Sequence, residues 1–268
     1  MEIWNKIRSL GKHEEPQAES TGNFEELLKS MFRNSIVMTI GGAADGLTRF
    51  GGVPDVPAGF VWPVYEYEGE ETPLAFLAQI DCADLAAYDA ENLLPKTGLL
   101  SFFYDYENQP WGFEEGDADG ARVYWFEDAS ALEKAGVPEG VTPFPVLGIA
   151  LKAEKSLPEW DDFAVFCPEE DDCDRFEEER AMLGVETPEE CSKLLGWPDA
   201  IQNGVFEECA AGKGCSPEDW VLLFQLDTVT DGEFELMFGD CGRIYLCMKK
   251  ADLAARRFDR IHLTLQCY

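Results

Sequence analysis

Leu74-Ala-Phe-Leu-Ala-Gln79-Ile-Asp81 and Val221-Leu-Leu-Phe-Gln225-Leu-Asp227 read as one phrase written twice, an apolar run closing on Gln-x-Asp. A Gly-x-Pro-Asp element precedes each, Gly52-Val-Pro54-Asp55 and Gly196-Trp-Pro198-Asp199. A glycine opens a second apolar run after each, at Gly98-Leu-Leu-Ser-Phe-Phe-Tyr104 and Gly242-Arg-Ile-Tyr-Leu-Cys-Met248. The intervals agree closely: Pro54 to Gln79 is 25 positions and Pro198 to Gln225 is 27, while Gln79 to Gly98 is 19 and Gln225 to Gly242 is 17. Self-similarity of this kind argues for an internally duplicated body. Within each phrase Gln and Asp lie two apart, which on a strand turns both to one face. Two readings stand side by side: the pairs line a shared cleft between the halves, or they satisfy backbone groups where the strand leaves the sheet.

The chain has 268 residues, enough to bury roughly three quarters of the surface of its unfolded form. Its 46% hydrophobic and 12% aromatic content places it among globular proteins. Against 21 basic residues stand 53 acidic ones, a net charge of -32. A field of that sign repels nucleic-acid backbones and anionic membrane surfaces and attracts basic partners. The N-terminal Ile3, Ile7 and Leu10 form a helical stripe, not the continuous hydrophobic region of a secretory signal. The expected location is therefore the cytoplasm, with the nine cysteines reduced.

Residues 1–22 read as a helical arm and linker, and 23–268 as one domain of two similar halves. The halves span about 23–151 and 191–268, joined by an acidic segment that carries Glu169-Glu-Asp-Asp172 and Glu177-Glu-Glu179. Asn23 is placed to cap a helix running to Phe32. Strands are expected at Ser35 to Ile40, over both repeated phrases, at Leu99 to Tyr104 with Val123 to Phe126, at Val141 to Leu151, around Phe234 to Phe238, and at Ile261 to Cys267. Ala251 to Phe258 is expected to be helical. The fold class is α+β, rich in β structure.

Other constellations carry weaker chemistry. Arg49 beside Gly51 and Gly52 has the makings of an anion cradle, or simply of a pair with a local carboxylate. Glu115-Gly-Asp117-Ala-Asp119-Gly120 opens like a calcium loop, but its twelfth position is Phe126, so an acidic hairpin tip is the simpler reading. The cysteine pair Cys209 and Cys215 is spaced too widely for a usual zinc knuckle, and no metal or other cofactor is expected. His262 is the one base in the body for a thiol nucleophile, so no recognisable catalytic set is present. Trp111, between Pro110 and Gly112, is an exposed contact point in a long loop.

A wider set of motifs resembles the YwqG-like family, a bacterial group of unknown function. It comprises Arg49-Phe-Gly-Gly-Val-Pro54, Trp62-Pro63, Pro73-Leu-x-Phe-Leu-x-Gln79-Ile-Asp81 and Leu94-Pro-x-x-Gly98-x-Leu-x-Phe-Phe. It continues with Leu195-Gly-Trp-Pro198-Asp-x-Ile-Gln202, Leu222-Leu-Phe-Gln225-Leu-Asp227 and Phe238-Gly239-Asp240-x-Gly242-x-Ile-Tyr. The resemblance covers about 24–265 and departs at Trp197, where tyrosine is usual. It implies a duplicated, β-rich intracellular protein and brings no reaction with it. The leading expectation is a non-enzymatic binding protein whose acidic surface meets a basic protein partner. The alternative is an enzyme or small-ligand protein with Arg49, Gln79, Asp81, Gln225, Asp227 and Asp240 around a cleft between the halves.

Overall fold

The computed structural model describes residues 21–114, 116–185 and 191–268. The expected arm over 1–20 and Glu115 of the acidic tip lie outside the described residues. Helix α1 (Thr21–Ser30) belongs to a first compact unit that ends at Phe32. Its described bounds take in Asn23, the expected start of the helix. Its exposed Lys29 bonds Glu25 at 2.8 Å, a spacing of one helical turn.

The second unit, from Arg33 to Tyr268, holds all the elements that follow. Its first part runs β1 (Arg33–Ile40), β2 (Arg49–Phe50), β3 (Asp55–Val56), β4 (Val64–Tyr67), β5 (Glu70–Pro73), β6 (Ala75–Asp81), α2 (Cys82–Leu85), β7 (Leu99–Tyr104) and β8 (Ala121–Phe126). Next come β9 (Glu133–Lys134), β10 (Leu147–Ser156), α3 (Trp160–Phe166), α4 (Cys173–Met182) and β11 (Lys193–Leu195). The chain closes with α5 (Val205–Ala210), β12 (Trp220–Leu226), β13 (Val229–Asp231), β14 (Phe234–Leu236), β15 (Arg243–Lys249), α6 (Lys250–Ala254) and β16 (Ile261–Gln266).

Among the described residues, ten strands make one sheet in the order β16-β15-β12-β11-β1-β10-β2-β6-β7-β8. At its middle β1 and β10 pair antiparallel from Arg33 against Ser156 to Ile40 against Ile149. On one flank lie β11, β12, β15 and β16, and on the other β2, β6, β7 and β8, so the two flanks follow the same succession outward. The correspondence reaches the irregularities. The β6·β7 ladder shifts register between Phe76 and Ala78, and the β12·β15 ladder between Leu222 and Phe224, each two residues before the glutamine. In both, Gln pairs across from a cation, Arg49 with Gln79 and Lys193 with Gln225.

The continuous apolar runs of β7 and β12 are buried at every position, because both faces of the sheet are covered. Inward-facing Phe102 and Phe224 stack at 4.1 Å between ring centres and join the two flanks in one core with Ile36, Leu147, Leu194 and Ile244. Outside, Phe103 meets Phe76, Phe60, Trp62 and Tyr124 in a second cluster. The sheet curls until it nearly closes. Trp111 O accepts from Leu265 N at 3.0 Å, laying the Trp111–Gly112 segment along β16. Gly112 (φ +95) is needed there, since a Cβ would stand 1.9 Å from Leu263 O.

Several expected bounds move. The strand expected from Val141 begins at Leu147, because Pro143 and Pro145 lack the donors a ladder needs, and it continues to Ser156 into the acidic segment. That segment also supplies α3 and α4, whose Phe163 and Phe176 rings lie 4.5 Å apart. Only Phe234–Leu236 of the next expected strand is extended, and it pairs with β13 outside the main sheet. The late helix ends at Ala254, short of Phe258.

Asp162 on α3 is wholly buried, accepting from Phe206 N at 3.2 Å. Burial pushes its carboxyl up to about 7, against the pull of two backbone donors and of Arg33. A carboxyl raised on folding favours the protonated native state, so its contribution to stability is full below about pH 4 and is lost as pH rises through about 7. Asp162→Asn is expected to flatten that part of the profile. Urea midpoints of both chains across this range check it, the difference between them growing toward neutral pH.

Candidate functional site

The two Gln-x-Asp phrases build the same bonded knot on opposite flanks. Gln79 Oε1 accepts from Asp55 N at 2.9 Å, and its amide nitrogen donates to Leu47 O and Asp55 Oδ2, each at 2.9 Å. Gln225 Oε1 accepts from Asp199 N at 3.0 Å, while its amide nitrogen donates to Cys191 O and to Asp199 Oδ2 at 2.8 Å. Each aspartate then meets the cation beside the glutamine: Arg49 with Asp55 at 2.8 Å and Lys193 with Asp199 at 2.6 Å. The hydroxyl residue just before each cation meets the aspartate two positions after the glutamine: Thr48 Oγ1 accepts from Asp81 N at 3.0 Å, and Ser192 Oγ from Asp227 N at 3.1 Å. Both glutamines are fully buried, where an unmatched amide would be expensive. Burial pushes the Asp55 carboxyl up, but bonds from Lys134, Gln79 and Arg49 outweigh it and hold it below its ordinary value.

The other predicted residues are similarly occupied. Asp81 caps α2 by accepting from Ala83 N at 2.9 Å. Asp227 accepts from Cys191 N at 3.2 Å and meets Arg243 Nε at 3.1 Å. Arg49 also donates to Val53 O at 2.6 Å, and the glycines after it serve the chain's own packing. A Cβ on Gly51 (φ +66) would lie 2.1 Å from Pro145 O. Asp240 is exposed, and its carbonyl accepts from Tyr268 N at 3.1 Å. Arg49, Gln79 and Asp81 stand together on β2 and β6, as do Gln225 and Asp227 at β12, with β11, β1 and β10 between the two groups in the sheet. Among the described residues, no hydrogen bond or ion pair joins one group to the other.

Asp117 in the acidic tip is buried and accepts from Gly112 N at 2.8 Å and Glu114 N at 3.1 Å, while Asp119 pairs with Arg122 at 2.7 Å. All nine cysteines are free thiols. His262 is buried with Lys213 Nζ 2.8 Å from its Nδ1, and burial together with that charge pushes the ring down to about 4. It is neutral near pH 7 and accepts from the ammonium. Among the described residues, no group of three His, Cys, Asp or Glu is placed to hold a metal.

A cavity of about 540 Å³ lies elsewhere, beside the β4–β5 hairpin. Thr72 and Pro73 of β5 line it with Tyr106, Phe144 and Phe234, and Glu107 and Glu139 contribute carboxylates. The three rings hold one another, Phe144 lying 5.6 Å from Tyr106 and 5.8 Å from Phe234. Pro143 and Pro145 keep Phe144 extended, and its carbonyl accepts from Gly52 N at 2.9 Å. Both glutamates are exposed, and no ion pair among the described residues engages either. The sequence pointed to none of these as a site, because its signal is spread over four separate stretches. Four more glutamates, Glu66, Glu68, Glu70 and Glu71, stand exposed on the hairpin. An aromatic floor with carboxylates at its edge is suited to an ammonium or guanidinium group.

Removing one knot tests its structural weight. Gln225→Leu strands Asp199 N, a buried orphan costing about 1–3 kcal/mol, and the urea midpoint is expected to fall accordingly. Gln79→Leu is expected to fall less, since the Asp55 side chain keeps 13% exposure to water against 6% for Asp199.

Comparison with curated proteins yields no match. A match to the family described as "Domain of unknown function (DUF1963)" covers residues 48–267, from the threonine that receives Asp81 N to the residue after β16, and thus takes in both glutamines with their aspartates and cations and the ten-stranded sheet except β1. The chain belongs to this family of domains of unknown function.

Proposed function

We propose that this is a non-catalytic binding protein whose acidic surface receives a basic protein partner, with a Lys or Arg side chain of that partner entering the cavity floored by Tyr106, Phe144 and Phe234. The observation that carries the reading is the pair of unpaired carboxylates, Glu107 and Glu139, at an aromatic cavity flanked by the glutamate-bearing hairpin. A net charge of -32 supports it by drawing cationic partners from a distance. A cleft walled by Arg49, Gln79, Asp81, Gln225 and Asp227 has less support, since the donors and acceptors of both glutamine side chains are already engaged by the chain itself. The ordered motifs support placing the protein in the YwqG-like group. The recurrence of knot, bulge and strand succession supports descent of the two flanks from one duplicated unit. Nine free thiols fit a cytoplasmic setting.

Affinity capture from lysate at about 50 mM and about 0.3 M salt tests the reading, because exposed charge attraction is screened over that range. The expected result is a basic protein retained at the lower salt and weakened at least about tenfold at the higher. The double substitution Glu107→Gln and Glu139→Gln is expected to weaken capture at low salt while leaving the unfolding midpoint unchanged. Retention of no basic protein, or equal retention by the double variant, rules the reading out.

A further inference from the structure

A second cavity, of about 490 Å³, carries the opposite sign from the rest of the molecule. It is lined by Arg33, Lys250 and Arg256 with a single carboxylate, Glu91, and by Leu93, Val221, Leu253 and Ala254. Three cations around one cavity are a concentration that a chain with 21 basic and 53 acidic residues does not produce by composition alone. Arg33 and Arg256 are held in place by local structure. The Arg33 guanidinium carbon lies 3.4 Å from the centre of the Trp197 ring and 5.4 Å from that of Phe206. The Leu195-Gly196-Trp197-Pro198 turn sets that ring: Trp197 N donates to Ser156 Oγ at 3.0 Å, and Gly196 (φ +77) lets the turn pass where a Cβ would stand 2.5 Å from the same oxygen. The corresponding turn of the other flank has Val53 in place of the tryptophan, so this cavity is not repeated there. Arg256 donates to Leu93 O and to Leu94 O, which fixes its charge at the wall.

Among the described residues, no ion pair engages Arg33, Lys250 or Arg256. Arg33 Nη1 is buried and has no hydrogen-bond partner. Burial, and then repulsion by Arg33, push the Lys250 ammonium below its ordinary value against the attraction of Glu218 and Asp219, and burial pushes Arg33 down to about 10. The carboxylates that act on Arg33 are Asp162, raised to about 7 and hence only partly ionised, and Glu91, whose Oε1 already accepts from Asn34 N at 2.8 Å. Like charges held together around a partly apolar space, with a buried donor unused, are the features of a pocket awaiting an anion.

We propose that this cavity binds a small amphiphilic organic anion, its acid group between Arg33 and Lys250 and its apolar body against Leu93, Val221 and Leu253. A carboxylate and a phosphate monoester share this chemistry, and the volume admits a chain of roughly eight carbons. The site is independent of the acidic, aromatic-floored cavity, so either assignment can fail alone.

Calorimetric titration of the full chain with octanoate, octyl phosphate, inorganic phosphate and octylammonium tests the assignment and tells the two acid groups apart. At least one of the two octyl anions is expected to bind and to raise the thermal midpoint, while octylammonium does neither and inorganic phosphate binds at least tenfold more weakly than the octyl anion. Lys250→Met keeps the aliphatic stem and is expected to reduce anion affinity about tenfold with an unchanged unliganded midpoint. Ala254→Trp, at an exposed position on the cavity wall, is expected to abolish binding by filling the space. Failure of both octyl anions at millimolar concentration, equal binding of octylammonium or inorganic phosphate, or unaltered affinity in Lys250→Met overturns the proposal.

Discussion

The fold rests on a buried glutamine that ties a strand to the loop arriving beside it. Each of Gln79 and Gln225 spends both donors and its acceptor on backbone and on one aspartate, so a loop that would otherwise wander is pinned to the sheet at a defined register. The aspartate in turn needs a cation, and Arg49 or Lys193 supplies it from the short strand that completes the ladder. A buried charge pair alone adds little to stability, since desolvation offsets attraction. Its value here is positional: β2 and β11 are only two and three residues long, and these bonds decide where they lie.

Much of this was legible in the residues. The strands β6, β7, β12, β15 and β16 announce themselves by apolar runs or strict alternation, and the flanking Gly-x-Pro-Asp elements mark the loops that the glutamines hold. The second half of β10 was not legible, because Lys152-Ala-Glu-Lys-Ser156 shows the charge of a linker; its pairing with β1 comes from long-range contact that periodicity does not encode. Gln and Asp stood out by repetition, yet their partners Asp55, Asp199, Leu47 and Cys191 lie 24 to 34 positions away. A recurring polar pair carries no mark that separates a structural knot from a site. The aromatic-floored cavity and the cationic cavity were missed for the complementary reason, each being assembled from residues that repeat nothing.

The charge is distributed unevenly enough to matter. The aspartates at the two knots are answered by cations, Asp55 by Arg49 and Lys134, Asp199 by Lys193, Asp227 by Arg243. The glutamates on the β4–β5 hairpin and around the aromatic cavity have no such answer, and carry the molecule's field outward. Arg33, Lys250 and Arg256 invert that pattern within one small volume.

The strip of loop laid along β16 has a consequence for a sheet this long. An antiparallel edge left bare is a template on which another chain can add a strand. With Trp111 O taking the Leu265 amide, and Gly112 lying so near Leu263 O that no side chain fits between, that border is occupied by the molecule's own backbone. Resistance to strand-by-strand self-association is thus built into the main chain at this border, and persists at salt concentrations that silence the repulsion between acidic surfaces.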